Sequence, residues 1–370
     1  MTYRDVGLQP MATDRLVTAI KTWGARKHSP VAILREILFQ CLALLCFAIV
    51  YICLLIVKPY REIRFGFLDA GPLGHLALNL DLFLRRRQLA EAPSDSCYIF
   101  FIYNAANRQL LKMFGRRFHV IEIKWLGRLL SLFAILDTKF CQHLGMDSNE
   151  YREYQTTSCE LTFTAEEEEL GRRELRKLGI EKDDWFVCIF ARDPEHYAQT
   201  YRLPKSTMGY RDADIDTYID AAKFIVEQGG YIIRMGMNVE KPFAMKHSRV
   251  IDYALNFRSD FMDVYLTAKC KCYIGTASGG ADMARIFDKH HLAVNWTPIG
   301  WAPWGKNEIY MPKTLYYKAT GEQVPYGKAL ALTAKWRVSL SFDIEDELEK
   351  LGMELVPNTR SRSWRQPKNS

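Results

Sequence analysis

At 370 residues, 48% of them hydrophobic and 13% aromatic, the chain is too long for one small core, and we expect two domains with an appendage. The net charge of +7 comes from the ends of the chain. Residues 1–35 hold six Lys or Arg and two Asp, and residues 356–370 hold four Lys or Arg and no acid. This distribution argues against a nucleic-acid groove and favours an anionic membrane surface, or two solvated tails.

The longest apolar run extends from Ile37 to Val57 and contains one amide, Gln40, and no charged residue. Its length at about 1.5 Å per residue is enough to cross a hydrocarbon core of about 30 Å. The run is too long and begins too deep in the chain for a signal peptide. Lys and Arg flank both ends, so a single span and a re-entrant hairpin both fit. We expect a membrane helix that anchors the protein.

The nine cysteines show no paired spacing. Cys270 and Cys272 lie in a strand-like run without a second pair or a histidine cluster, which indicates core packing rather than metal ligation. Unpaired buried cysteines are typical of a reducing compartment, so we expect the globular part on the cytoplasmic face of the membrane.

Strands and helices are predicted to alternate after the apolar run. The first half contains a strand in "EIRFGFLDAG", a helix in "LGHLALNLDLFLRRR", a strand in "SCYIFFIYN" and a helix at 107–114. A capped surface helix follows in "AEEEELGRRELRKLGI", after Thr164. In the second half, the strands are "DWFVCIFARD", "YIIRMG", "KCYIGTAS" and "HLAVNW", separated by the helices "DIDTYIDAAKFIVEQGG", "SDFMDVYLTAKC" and "GGADMARIFDKH".

This alternation predicts an α/β fold in which two Rossmann-like domains with parallel sheets follow a hydrophobic membrane helix. We expect a basic N-terminal segment at 1–35, followed by a membrane helix at 36–58. An N-terminal α/β domain at 59–165 and a C-terminal α/β domain at 166–350 come next, and a basic tail at 351–370 ends the chain. Ligands of parallel sheets bind at the carboxyl ends of the strands. Three segments should therefore share one edge of the second sheet: Arg192–Asp193, Arg234–Gly236 and Gly275–Gly280.

The sharpest local signal is the turn Thr276–Gly280, which leaves a strand and opens a helix. Its backbone N–H groups and the hydroxyls of Thr276 and Ser278 suit an anion at the positive helix end, and Gly279 and Gly280 keep the backbone accessible. The turn lacks the Lys of a Walker A loop and the spacing of a dinucleotide fingerprint. Asp282 would hold a ribose hydroxyl or complement the helix dipole. Tight packing of the turn is the alternative.

Two arginines end neighbouring predicted strands. Arg192 and Arg234 would neutralise a diphosphate with planar guanidinium groups, with Asp193 and Gly236 beside them at the same edge. Salt bridges to nearby carboxylates are the alternative.

The run Asp212, Asp214 and Asp216 has the alternation of a metal-binding motif. It precedes a helix whose first turn favours acids, and no other ligand joins it, so we prefer capping. No metal is expected.

The Gly-rich stretch "AGPLGHLALNLDLFLRRRQ" follows the first predicted strand and would let a substrate approach the backbone. His75 would begin a helix there and accept a proton near neutral pH, oriented by Asp69 or Asp81. Packing of this histidine within the turn is the alternative.

These stretches together resemble a family of bacterial glycosyltransferases found among surface-polysaccharide genes, over roughly residues 58–300. More distantly, the layout resembles heptosyltransferase-like enzymes of the GT-B fold. The resemblance implies a nucleotide-activated sugar bound by the C-terminal domain and acceptor contacts in the N-terminal domain. Carried over by position, Thr276, Ser278, Gly279 and Gly280 would meet the donor diphosphate, and Asp282 the sugar or ribose.

Heptosyltransferase-like enzymes place an acidic base in the first loop, whereas the matching loop of this chain offers His75. GT-B enzymes generally need no bound metal or other cofactor.

We therefore expect a membrane-anchored glycosyltransferase, inverting or retaining, at the cytoplasmic face of the inner membrane. Its partners would be a nucleotide-sugar, a lipid-linked or other saccharide acceptor and the membrane, with no nucleic acid. Transfer of a phospho-polyol or pyruvyl group by the same two-domain shape is one alternative. A non-catalytic membrane scaffold is another.

Overall fold

A computed structural model describes residues 30–89, 96–136, 138–145, 151–202, 204–205, 209–334 and 344–358. Most of the predicted basic N-terminal segment and the end of the basic tail lie outside these residues. The chain divides into two compact units, Met1–Glu153 and Tyr154–Ser370. The division falls before the capped surface helix, which belongs to the second unit.

The first unit begins with a long apolar helix, α1 (Pro30–Val57). Within the described residues, one helix segment, Leu34–Val57, is long and apolar enough to cross a membrane. Large apolar side chains cover much of its surface and are exposed, as the absence of charge in the run predicts.

A three-stranded parallel sheet follows, in the order β1 (Ile63–Asp69), β2 (Cys97–Tyr103) and β3 (His119–Ile121). Between β1 and β2, the chain forms a π-helical turn at His75–Asn79 and then α2 (Leu80–Leu89). The remaining helices of this part are α3 (Arg108–Phe114), α4 (Lys124–Leu130) and α5 (Leu132–Ile135), and the division between the two units falls within α6 (Tyr151–Thr156). Phenylalanines pack edge-to-face or tilted on both sides of this sheet, at centroid distances of 4.5–6.0 Å.

The second unit contains a six-stranded parallel sheet. Its strands are β4 (Phe186–Phe190), β5 (Tyr231–Arg234), β6 (Val250–Ile251), β7 (Cys272–Gly275), β8 (His291–Trp296) and β9 (Glu308–Pro312), in the order β6-β5-β4-β7-β8-β9. Because β4 lies at the centre, between β5 and β7, the segments that follow these three strands meet at one edge.

Helices cover both faces of this sheet, as the alternating pattern predicts. They are α7 (Ala165–Lys177), α8 (Pro194–Tyr201), α9 (Ile219–Glu227), α10 (Tyr253–Asn256), α11 (Asp260–Lys269) and α12 (Gly279–Ile286). Two hydrophobic clusters separated by the sheet form the core. Helix α7 begins with the predicted cap: Thr164 accepts from the Glu167 N–H, and the Glu167 side chain accepts from the Thr164 N–H.

A third small cluster lies at the end of the chain. Strand β10 (Thr314–Tyr317) pairs antiparallel with β11 (Met353–Val356), and α13 (Tyr326–Ala334) and α14 (Ile344–Lys350) pack beside them. Sequence patterns did not predict this part or β9.

The α/β fold with an apolar helix before two Rossmann-like units is confirmed. The predicted strands and helices of both halves are present, and the first half is the smaller one, as expected. The helix predicted after β1 differs in its first turn, which is π-helical because Leu76 and Ala77 are both drawn into the interior.

Candidate functional site

The carboxyl ends of β4 and β7 are joined by hydrogen bonds. The N–H of Arg192, two residues after β4, donates to Oγ1 of Thr276, which follows β7, at 2.9 Å. The N–H of Thr276 donates to the carbonyl of Phe190 at 3.3 Å. Both residues are buried. The predicted meeting of Arg192 and the turn Thr276–Gly280 at one edge is thus confirmed.

The turn is built by its own hydroxyls. Ser278 caps α12: its Oγ accepts from the N–H of Ala281 at 3.3 Å and donates to the Thr276 carbonyl at 3.1 Å. No hydrogen bond within the described part of the chain uses the N–H groups of Gly279 and Gly280. Two donors at the positive end of a helix therefore remain available to an anion, while the two hydroxyls hold the turn in shape.

Three cationic side chains belong to the loop 209–213 or contact it, and one of these, Arg211, contacts the turn. The Arg192 guanidinium pairs with Asp212. The Arg211 Nη2 donates to the carbonyl of Ala277, within the turn, at 2.8 Å. Lys313, which follows β9, is buried and donates from Nζ to the carbonyls of Tyr210 (2.9 Å) and Asp212 (2.6 Å). The loop 209–213 is therefore bound on one side to Lys313 and on the other to the turn.

Burial shifts the titration of two groups in this cluster. It raises the pKa of Asp212 to about 6, against the opposing effect of Arg192. It lowers the pKa of Lys313 to about 8, against the opposing effect of Asp212. Both shifts have the same cause, since each group loses water around its charged form. The site therefore gains positive charge as the pH falls below about 8 and again below about 6.

Asp282 lies in the first turn of α12 and pairs with Arg285 at 2.8 Å. Burial raises its pKa, and Arg285 opposes the rise. Arg285 itself is buried and also contacts Glu308 at 2.9 Å, and Glu308 accepts from His291 at 2.7 Å. One carboxylate oxygen of Asp282 is thus fixed from the interior, while its side chain keeps 20% exposure at the edge of the sheet.

The other predicted edge residues are bound within the fold. Arg234, after β5, contacts Asp252 at 3.0 Å and the Lys241 carbonyl at 3.3 Å. Asp193 accepts from the N–H groups of Glu195 and Glu240, both at 2.9 Å. The Asp252 contact matches the salt-bridge alternative for Arg234, as the Asp212 contact does for Arg192, whereas Asp193 is bound by backbone N–H groups.

Gly236 has a φ of +150°, a conformation that side-chain-bearing residues rarely adopt. The chain can therefore turn sharply after β5 at this position.

The run Asp212, Asp214 and Asp216 serves capping and ion pairing, and capping is the role that the sequence pattern favoured over metal binding. Asp214 caps the 3-10 turn that precedes α9 by accepting from the Asp216 N–H at 3.0 Å. Lys241 contacts Asp214 at 2.7 Å and Asp216 at 2.6 Å. No cluster of His, Cys, Asp or Glu suited to a metal occurs among the described residues.

In the first unit, His75 is exposed and lies at the start of the π-helical turn, after β1. Asp69 Oδ1 accepts from the Gly71 N–H at 3.1 Å and from Asn104 Nδ2 at 3.3 Å, which shapes the loop at the carboxyl ends of β1 and β2. Asp81 is fully buried and pairs with Arg85 at 2.6 Å. The orienting role predicted for Asp81 is thus replaced by an interior ion pair, because its position on α2 faces the core.

Sequence reasoning missed Arg211 and Lys313. Neither stands at the end of a strand recognised by its apolar run, since Arg211 lies in a 3-10 turn and Lys313 follows an edge strand of alternating exposure. The cations in "YRDADID" and "MPKT" are the only local signals.

No protein-family model matches this sequence, and comparison with curated proteins found no match. The chain is similar in structure to heptosyltransferases. ADP-heptose LPS heptosyltransferase II of E. coli matches at a TM-score of 0.43 and 12% identity, over 75% of this chain and 100% of its own. A family 9 glycosyltransferase of Veillonella parvula matches at 0.42 and 10%, over 68% and 86%.

The dodecameric iron-containing heptosyltransferase TibC of enterotoxigenic E. coli matches at a TM-score of 0.37 and 9% identity, over 79% of this chain and 77% of its own. At these TM-scores, the similarity assigns no role to any residue of this chain.

Proposed function

We propose that this protein is a glycosyltransferase that takes its sugar from a nucleotide-sugar bound at the carboxyl edge of the second unit. The observation that supports this most directly is the pair of uncommitted N–H groups of Gly279 and Gly280, set beside Arg192 and Arg211. Backbone donors at a helix start combined with guanidinium groups form a site for a diphosphate.

In this proposal, the cluster stabilises the leaving group. When the acceptor oxygen bonds to the anomeric carbon, the bond from that carbon to the diphosphate oxygen breaks, and the nucleoside diphosphate takes up the electron pair. The positive charges of Arg192, Arg211 and the α12 N-terminus stabilise the negative charge that develops on the leaving group. Asp282, fixed by Arg285, binds a hydroxyl of the donor sugar or ribose.

The acceptor side of the reaction needs a base for the hydroxyl proton. We assign this role to His75 in the first unit, because its imidazole is exposed beside the loop shaped by Asp69. The acceptor is a saccharide, lipid-linked in this proposal, in which α1, a helix long and apolar enough to cross a membrane, attaches the protein to the bilayer. Attachment to the cytoplasmic face and a reaction without a bound metal belong to the same proposal.

A thermal-shift measurement on the detergent-solubilised chain tests the donor site. UDP, GDP, CDP, ADP and CMP are added separately, each with and without Mg²⁺. We expect one nucleoside diphosphate to raise the melting temperature, with no requirement for metal. Arg211→Ala is expected to weaken the binding of that nucleotide by about tenfold or more, because the substitution removes a charge-assisted contact.

The matched control is Arg176→Ala, which removes an exposed arginine from α7 in the same unit. It should leave nucleotide binding unchanged. Stabilisation that strictly requires Mg²⁺ would point to a metal-dependent donor site. No response to any nucleotide would overturn the proposal in favour of a scaffold or a transferase with another donor.

A further inference from the structure

One face of α1 is packed along nearly its whole length by the rest of the first unit. The residues of this face recur every three or four positions, as a helical stripe does: Glu36, Phe39, Ala43, Phe47, Tyr51 and Leu54. Arg128 of α4 pairs with Glu36 at 3.5 Å and lies over the Phe39 ring at 4.8 Å. The helix is therefore part of the fold and does not extend away from it as a free anchor.

The second half of α1 belongs to the hydrophobic core of the sheet. Leu54 is buried in one cluster with Phe65 of β1 and Phe101 of β2. The Phe47 ring lies 4.7 Å from that of Phe133 in α5. Wherever this half of the helix lies, strands β1 and β2 lie beside it.

That packing conflicts with a full crossing of the bilayer. Loops and open sheet edges do not occur in contact with lipid tails, so residues 47–57 cannot be at the depth of the hydrocarbon core on all sides. The remaining apolar residues, 37–46, span about 15 Å, which is short of the roughly 30 Å that a crossing requires. The single-span alternative therefore fails on length.

The outer face of α1 nevertheless remains strongly apolar over both halves. Its exposed side chains include Leu38 (61%), Leu45 (58%), Ile52 (58%) and Ile56 (65%). Such a continuous face is too large for a surface in water. Because the inner side of α1 is already core, its apolar outer side is available to the acyl chains at a membrane interface, where binding scales with the apolar area buried.

Helix α4 packs beside α1, and exposed apolar side chains occur at its start. Ile123 and Trp125 are 46% and 63% exposed, and Lys124 between them is exposed as well. Tryptophan next to lysine is typical of the boundary between headgroups and acyl chains, where the ring sits in the boundary and the ammonium reaches the phosphates. Lys139, after α5, is exposed too and lies over the Phe140 ring.

We propose that α1 and α4 together form a monotopic docking surface that enters one leaflet of a bilayer containing anionic lipids, with neither helix crossing it. The inference deepens the membrane attachment in the proposed function and does not involve the nucleotide site.

Two measurements on the full chain test it. The first places the chain in vesicles of equal parts phosphatidylcholine and phosphatidylglycerol whose acyl chains carry bromine, which quenches tryptophan on contact. Quenching is expected to fall in Trp125→Phe and to stay unchanged in Trp185→Phe, a control in the second unit. Undiminished quenching in Trp125→Phe would overturn the role of α4.

The second measurement places an epitope tag before Met1 and another after Ser370 and applies protease to inverted and right-side-out membrane vesicles. We expect both tags to be digested in the same vesicle type. Digestion from opposite sides would mean that α1 crosses the bilayer and would overturn the proposal. If the tags lie on opposite sides and the chain still binds a nucleoside diphosphate, the docking proposal is wrong and the proposed function stands.

Discussion

Glu308 illustrates how a single buried carboxylate organises the second unit. It accepts from Arg285 and from His291, and its side chain is only 2% exposed. Although burial opposes ionisation, Arg285 and His291 lower the pKa of Glu308 to about 2. Arg285 in turn fixes Asp282. The charge of Glu308 thus determines the position of a side chain proposed to bind the donor.

This arrangement predicts a specific dependence of stability on pH. Because the folded pKa of Glu308 lies below its usual 4.5, its contribution is present above pH 4.5 and is lost as the pH falls towards 2. The shift corresponds to about 3 kcal/mol. We expect Glu308→Gln to lower the free energy of unfolding at pH 7 by about that amount and to flatten its fall between pH 4.5 and 2, measured by urea denaturation.

Glu174→Gln serves as the comparison, since Glu174 pairs with Lys177 on the exposed side of α7. It should change the free energy of unfolding by no more than about 0.5 kcal/mol. Equal effects of the two substitutions would show that the buried network adds no stability.

At the scale of the element, α4 depends on one close approach. A Cβ on Gly127 would lie 1.6 Å from the hydroxyl of Tyr103 in β2, so only glycine lets the helix reach the sheet. We expect Gly127→Ala to destabilise the chain by about 1–3 kcal/mol, through the overpacking that the added methyl group causes. Thermal denaturation in detergent measures the effect.

Gly327, also helical, provides the matched comparison in α13, because a Cβ there would meet nothing within 4 Å. Gly327→Ala should be neutral or stabilise by about 0.5–1 kcal/mol, as helix propensity predicts. A destabilisation by Gly327→Ala as large as that by Gly127→Ala would mean that the contact with Tyr103 is not the cause.

The elements recognisable in the sequence were those with long apolar periodicity. Strand β7 and the capped helix α7 were predicted because their pattern is local. Strands β3 and β6, of three and two residues, are too short to carry a period. The burial of one face of α1 was not predictable, because its partners Phe133 and Phe140 are distant in the chain and its composition is apolar all round.

The candidate site likewise contains features that the sequence predicts and features that it does not. The edge shared by Arg192 and Thr276 followed from the common direction of parallel strands, whose carboxyl ends lie at one edge of the sheet. The contacts of Arg211 and Lys313 depend on how a loop folds back, which no period in the sequence encodes. Asp81 was misplaced for a similar reason, since its pairing with Arg85 depends on which side of α2 faces the core.

At the scale of the molecule, each unit has a sheet and a core of its own. The proposed function assigns donor binding to the second unit and proton acceptance to the first. Substitutions in the two units should therefore affect different kinetic constants. We expect Asp282→Ala to weaken donor binding at least tenfold, and His75→Ala to lower kcat with donor affinity preserved.

Isothermal titration with the nucleoside diphosphate measures the first quantity, and product formation from the matching nucleotide-sugar measures the second. Full turnover by His75→Ala would remove that residue from the base role and leave the donor site intact. Unchanged affinity for the nucleoside diphosphate in Asp282→Ala would exclude the ribose contact, and unchanged affinity for the nucleotide-sugar as well would remove the carboxylate from the donor site.

The proposed use of α1 by both lipid and core has a consequence for biosynthesis. The helix leaves the ribosome long before Phe133 and Phe140, the partners that close the core against Leu54. Final docking to the membrane must therefore wait until the first unit has folded around its own anchor. For the same reason, cutting the helix away to obtain a water-soluble enzyme would remove one wall of the domain that remains.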